Sequence, residues 1–288
     1  MSLATTEARP APVLSDLEVV QFRRDGFIVV RQLIARDEAE MIRDTFMRMN
    51  ANGPVEGLSE TRRHHGDGKV GYDRSDPLAF YPRMMHPHKH ADKPVGPVAL
   101  RYMLDRRIES ILTQLMGERP WAAQSMFYFK PPGARGQDFH QDNFYLKVKP
   151  GTCTAAWLAL DRCDAGNGGM MCVPETGDYA IQCPERADAA LYFTTEHVPI
   201  PDGKKAVLPI LDPGDVLFFN GSVIHGSGPN RSADRFRRSI IFHYVPQSTT
   251  QLSHWYELMD FNGNRITGVQ HNNEGGPCGT VQEAAGAH

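Results

Sequence analysis

Residues 212–230 read DPGDVLFFNGSVIHGSGPN. A tight turn at Pro213-Gly214-Asp215 launches the apolar run Val216–Asn220, and the chain turns again at His225. A run of that length, closed at both ends by Gly and Pro, is a short strand rather than a helix. The same texture extends in both directions. SMFYF (125–129), TAAWLAL (154–160), GMMCVP (169–174), AVLPIL (206–211) and RRSIIFHYV (237–245) are separated by PPGARG, DAGNG, PETG and DPGD. Short strands spaced by such breakers predict an antiparallel double-sheet barrel, or jelly roll, from Trp121 onward.

Toward the N-terminus the pattern changes. LSDLEVVQFRRDGFIVVRQLIARDEAEMIRDTFMRMN reads as helix, short strand, helix, with Ser15 or Asp16 as the first cap and Asp25-Gly26 as the break. VALRYMLDRRIESILTQLMG places apolar residues at helical spacing and predicts one helix over about 97–117, closed by Gly117. The expected class is mainly β with α (α+β), a double-stranded β-helix (jelly roll, cupin-like) core buttressed by N-terminal helices. Residues 1–12 are expected to be a disordered tail and 271–288 a flexible one. Between them, 13–270 form a single domain, with a helical part at 13–120 and the jelly-roll core at 121–250.

Composition bounds the function. The 288 residues carry 31 Lys+Arg against 34 Asp+Glu, so no basic surface points to nucleic acid. Five Cys without a C-x-x-C pair argue against a disulfide framework and against a thiolate zinc site. No apolar run is long enough to span a bilayer, and MSLATTEARPAP lacks a signal pattern. The expected setting is cytoplasmic, without a membrane partner, and nothing here specifies an oligomeric state.

Asp138-Phe-His-Gln-Asp-Asn-Phe-Tyr145 is the informative segment. On a strand, His140 and Asp142 project from one face and form half of a divalent-metal site. Read alone, H-x-D is more often a surface histidine beside a solvated aspartate. His225 adds a second imidazole from another strand, and two His with one carboxylate suit a non-haem Fe(II) oxygenase. Each such imidazole needs a partner on its other ring nitrogen. Twelve residues after His225, Arg237 and Ser239 share a strand face while Arg238 points away. A guanidinium fork with a hydroxyl in an apolar barrel suits a carboxylate, although RFRR (235–238) by itself also reads as a solvated charge run.

The set His140-x-Asp142 … His225 … Arg237 resembles the Fe(II)/2-oxoglutarate-dependent oxygenases, specifically the phytanoyl-CoA dioxygenase-like group that includes ectoine hydroxylase. FRRDGFIVVRQLI, FKPPGARGQDFHQDN, TAAWLALDRCDAGNGGMMCVPETG and HGSGPNRS…FRRSIIFHY carry the resemblance over roughly 17–246. It implies His140, Asp142 and His225 as iron ligands and Arg237, with Ser239, at the distal carboxylate of 2-oxoglutarate. It further implies Trp157, Ser227 and Lys130 near that cosubstrate. Without the family, Trp157 is a plain core aromatic and Lys130 a strand-edge lysine. The implied reaction uses Fe(II), 2-oxoglutarate and O2 to hydroxylate an unactivated C–H of a small molecule, releasing succinate and CO2. An intact Asp142 implies hydroxylation rather than halogenation.

Two departures stand out. Pro174-Glu-Thr-Gly-Asp178 lacks the histidine usual after the NG turn, and the spacing from His225 to Arg237 is one residue longer than common, which leaves Arg235 and Arg238 as rival anchors. The histidines at 64–65 and 86–90 read as loop residues, with His86 or Arg83 able to reach the cosubstrate pocket, and His243 reads as structural. Residues 51–95 and the loop Asn143–Gly151 are expected to form the lid. The rival classes are a cupin-type metal enzyme that does not use 2-oxoglutarate and a non-catalytic jelly-roll binding module.

Overall fold

Two faces of one large sheet organise the molecule, a computed structural model that describes residues 13–61 and 74–273. The tail 1–12, residues 274–288 and His64 and His65 lie outside the described residues. Among those described, an eight-stranded sheet runs Phe27–Val30, Val216–Asn220, Thr154–Ala159, Ser239–Pro246, Pro120–Tyr128, Leu258–Met259, Arg265–Ile266, with Met84–Met85 also paired to Pro120–Tyr128. A three-stranded sheet of Gln137–His140, His225–Ser227 and Met170–Cys172 faces it. Both sheets are antiparallel throughout and close the expected double-stranded β-helix.

Side-chain alternation divides the large sheet into two jobs. On the outer face Phe127, Leu158, Phe218, Ile240, Phe242 and Tyr244 meet helix residues such as Ile42, Phe46, Tyr102 and Leu112 in one buried cluster. Phe46 stacks on Phe127 at 4.0 Å between centroids. On the inner face Met126, Trp157, Leu217, Phe219 and Ile241 pack with Met170 and Cys172 of the small sheet. Each such side chain contributes about 1.5–3 kcal/mol on burial. Because both faces are filled, a one-residue slip would exchange them and is strongly disfavoured.

The N-terminal elements follow the expected order. Ser15 caps Asp16–Asp25 in a reciprocal capping box with Glu18. Gly26 ends that helix at φ +81°, where an added Cβ would lie 2.3 Å from Val223 Cγ2. Phe27–Val30 then pairs with Val216–Asn220, and Arg36–Met49 follows.

Three expectations are corrected. The single helix over 97–117 is two, Val95–Met103 and Arg106–Met116, because Asp105 accepts the Arg107 N–H and caps a new start. Asn143–Gly151 is not a free lid: Asn143–Leu146 is a short helix whose Phe144 and Leu146 pack with Cys153, Val245 and Leu252. At the C-terminal end, His271 pairs with Leu252, and buried Asn272 donates to the Lys147 carbonyl, so the ordered chain extends past 270. Cys183 is disulfide-bonded, while Cys153, Cys163 and Cys172 are free and buried.

Candidate active site

His140 closes the strand Gln137–His140, and His225 opens His225–Ser227 directly opposite it in register. Pairing in the small sheet therefore sets the two imidazoles side by side, 4.2 Å between ring centroids. Asp142 does not share a strand face with His140, as the spacing suggested. The strand ends at His140, and Asp142 has helical φ/ψ at the start of the Asn143–Leu146 turn. That turn still brings its carboxylate to the imidazoles, and all three side chains are buried.

Tautomers follow from the backbone. His140 Nδ1 lies 2.7 Å from the Asp138 carbonyl, and His225 Nδ1 lies 2.9 Å from the Val223 carbonyl. A carbonyl only accepts, so each Nδ1 carries the proton and each Nε2 turns its lone pair inward. Those Nε2 atoms lie 3.4 and 3.5 Å from Asp142 Oδ1, and one donor atom from each residue falls within 4.8 Å of the others. Two lone pairs facing a carboxylate oxygen repel unless a cation stands between them. The donor set, two imidazoles and one carboxylate, therefore fits a divalent iron. Burial opposes the Asp142 charge, yet its carboxyl is held well below the ordinary range with His243 donating to Oδ2. Burial and the adjacent His225 lower the His140 pKa and keep that ring neutral.

Two neighbours escaped sequence reasoning. Gln137 places its side-chain amide 3.1 Å from His140 Nε2, so it must turn aside when that lone pair binds a cation. His243, read as structural, places Nε2 2.9 Å from Asp142 Oδ2. The inward phase of Ser239–Pro246 was the available signal, since His243 shares it with Ser239 and Ile241.

Beyond the triad the same cavity is lined by Tyr128, Trp157, Ser227 and Arg237. Arg237 donates to the Gly168 carbonyl at 3.2 Å, to Ser239 Oγ at 3.0 Å and to Ser227 Oγ at 3.5 Å, and its guanidinium carbon sits 5.3 Å from the Trp157 ring centroid. Lys130 Nζ donates to Ser227 Oγ at 2.8 Å from a buried position just past the strand Pro120–Tyr128. The rival arginines are taken: Arg235 pairs with Asp164 and Arg238 with Asp161. Among the described residues no carboxylate pairs with Arg237. Burial lowers the pKa of both buried cations, and the Arg237 charge adds to the effect on Lys130. Two desolvated cations, a shared hydroxyl and an indole face form an arrangement that can receive an anion.

Of the two pocket candidates before the barrel, Arg83 lines an adjoining cavity and donates to Tyr128 Oη at 3.1 Å while pairing with Glu60. His86 instead packs near His88 and Tyr256. His88 Nδ1 lies 2.6 Å from Ser125 Oγ, and burial lowers the pKa of His86 to about 4 and of His88 to about 3. The unfolded chain binds protons at these rings below about pH 6.5 while the folded chain does not, so their contribution is complete above that pH and is lost as pH falls toward 3. His88→Asn should flatten the fall of the urea midpoint between pH 6.5 and 4, a cost on the order of 3 kcal/mol at this ring. An unchanged slope would contradict the assignment.

Comparison with known proteins gives one consistent result. The family model for phytanoyl-CoA dioxygenase (PhyH) matches residues 22–239. Phytanoyl-CoA dioxygenase 1 of Oryza sativa subsp. japonica is 25% identical over 244 residues, covering 77% of this chain and 86% of that protein. Two solved structures share the fold. The epimerase SnoN, in complex with Fe3+, alpha ketoglutarate and nogalamycin RO, superposes with TM-score 0.61 at 20% identity over 82% of this chain and 84% of its own. EctD from S. alaskensis, with 2-oxoglutarate and 5-hydroxyectoine, gives TM-score 0.60 at 20% identity over 92% and 89%. No helix among the described residues is long and apolar enough to cross a membrane.

Proposed function

The chain belongs to the phytanoyl-CoA dioxygenase family, and on that premise we propose that His140, Asp142 and His225 hold Fe(II) while Arg237 anchors 2-oxoglutarate for hydroxylation of a small molecule. The enzyme is an Fe(II)- and 2-oxoglutarate-dependent oxygenase. When bound, the iron with 2-oxoglutarate and O2 supplies the oxidative decarboxylation to succinate and CO2 that is coupled to oxidation of a C–H bond.

One observation carries the residue assignments: a cavity holds the converging His-Asp-His donors and a buried arginine that has no acid beside it among the described residues. The backbone carbonyls of Asp138 and Val223 hold the metal-facing lone pairs in place before any ligand arrives. Arg237 presents a planar fork to a carboxylate, Ser239 and Ser227 fix its plane, and Trp157 covers its face. Lys130 adds a second cation through Ser227. Met126, Met170 and Ile241 complete an apolar wall that limits water.

In our reading the catalytic unit takes in residues 13–270 together with His271 and Asn272, which bond to Leu252 and Lys147, and its setting is the cytoplasm. The reading is tested anaerobically. Adding 2-oxoglutarate to Fe(II)-loaded protein should develop a weak visible charge-transfer band, and admitting O2 should yield succinate. A metal enzyme that does not use 2-oxoglutarate would give neither, and a binding module would take up no iron.

A further inference from the structure

We propose that His243 is a positioning residue for the metal centre, fixing the rotation of the Asp142 carboxylate. The inference rests on the reading that Asp142 is a metal ligand. His243 lies in the middle of Ser239–Pro246, between Ala155 and Gln124 on the flanking strands, and is fully buried. Its Nε2 is 2.9 Å from Asp142 Oδ2. An ionised carboxylate only accepts, so Nε2 carries the proton. The other oxygen, Oδ1, is the one that faces His140 and His225. Each oxygen of Asp142 thus has its own task, and the hydrogen bond from the large sheet decides which oxygen turns inward.

The alternative is a histidine that merely fills space, and its own geometry argues against that. His243 Nδ1 is buried and has no hydrogen-bond partner among the described residues. A leucine at this position would occupy a similar volume without carrying an unsatisfied polar atom. The neighbours on the same strand, Ile241 and Phe242, show that apolar side chains suit both of its faces. What the imidazole offers and leucine lacks is the N–H directed at Oδ2.

Cobalt(II), titrated anaerobically and followed by its visible d–d bands, is the probe. Wild type, His243→Leu, His243→Gln and Asp142→Ala are compared, with thermal midpoints of the metal-free forms as the control for folding. His243→Leu should bind Co(II) about 10–100-fold more weakly than wild type. His243→Gln, whose amide can still donate, should stay within about threefold, in the range expected when the hydrogen bond is kept. Should the leucine variant fail to fold, His243→Asn replaces it, because its shorter amide stops short of Oδ2. Wild-type affinity in His243→Leu overturns the inference and leaves the metal site standing. Equal losses in the Leu and Gln variants also overturn it, since packing rather than the donor would then be the cause. If wild type itself binds no Co(II), or Asp142→Ala binds it as well as wild type, the metal reading falls and the inference with it.

Discussion

Asp142→Ala should lower substrate-dependent succinate formation by at least about a thousandfold, because a lost metal ligand removes several kcal/mol of stabilisation at the reacting centre. His140→Ala should do the same. Asp142 supplies the only charge in the triad, and its Oδ1 is the atom toward which both Nε2 lone pairs converge. Without it two neutral imidazoles remain, a far weaker pair of donors for a hard divalent cation. Folding should survive. In the metal-free protein the carboxylate faces two lone pairs, so alanine relieves a repulsion as it removes the hydrogen bond from His243. The diagnostic is the thermal midpoint. Metal with 2-oxoglutarate should raise it in wild type by mass action and leave the variant unmoved. Coupled turnover retained in both variants would remove the triad from the mechanism.

Arg237→Leu carries the second large effect. Truncating one partner of a desolvated, hydrogen-bonded charge pair costs about 2–5 kcal/mol, which places the KM for 2-oxoglutarate at least about thirtyfold higher. The structure adds an opposite expectation for the empty protein. Arg237 is buried against Gly168, Ser239, Ser227 and Trp157 with no acid among the described residues, and Lys130 stands beside it. An uncompensated buried cation is a liability until its anion arrives. Leucine should therefore hold or raise the midpoint of the ligand-free enzyme while abolishing the rise that 2-oxoglutarate produces. Arg237→Lys keeps the charge but loses the fork, and should fall between the two. A KM within threefold of wild type would exclude Arg237 as the anchor.

Much of this was legible before any coordinates. The strand texture from Trp121 onward specified the barrel, because alternation and Gly/Pro punctuation report directly on which residues face a core. His140, Asp142, His225 and Arg237 were picked out by their match to the family's pattern, because spacing alone left H-x-D and RFRR readable as solvated residues. The failures have physical causes. Periodicity was continuous across Leu104-Asp105, but the Asp105 side chain stops one helix and starts the next. The H-x-D pair looked like a strand pair because spacing alone does not reveal that the strand stops at His140. His243 was set aside because its partner lies 101 positions away, and only sheet register brings them together. The match of FRRSIIFHY already favoured Arg237 over Arg235 and Arg238, and the structure adds that Asp164 and Asp161 occupy the other two.

The cavity is not hollowed into one layer of the barrel but sits across its seam. His140 and His225 belong to the small sheet, whereas Trp157 and Ile241 belong to the large one, and Arg237 sits two residues ahead of its strand Ser239–Pro246. Anything held at both ends of the cavity acts as a cross-strut between the sheets, alongside the Asp142–His243 bond. Parting of the sheets is a sub-global opening, and occupancy raises its free energy by the ligand's own binding term. On the proposed assignment, a cosubstrate held by both the metal and Arg237 links its own loss to the parting of the two layers.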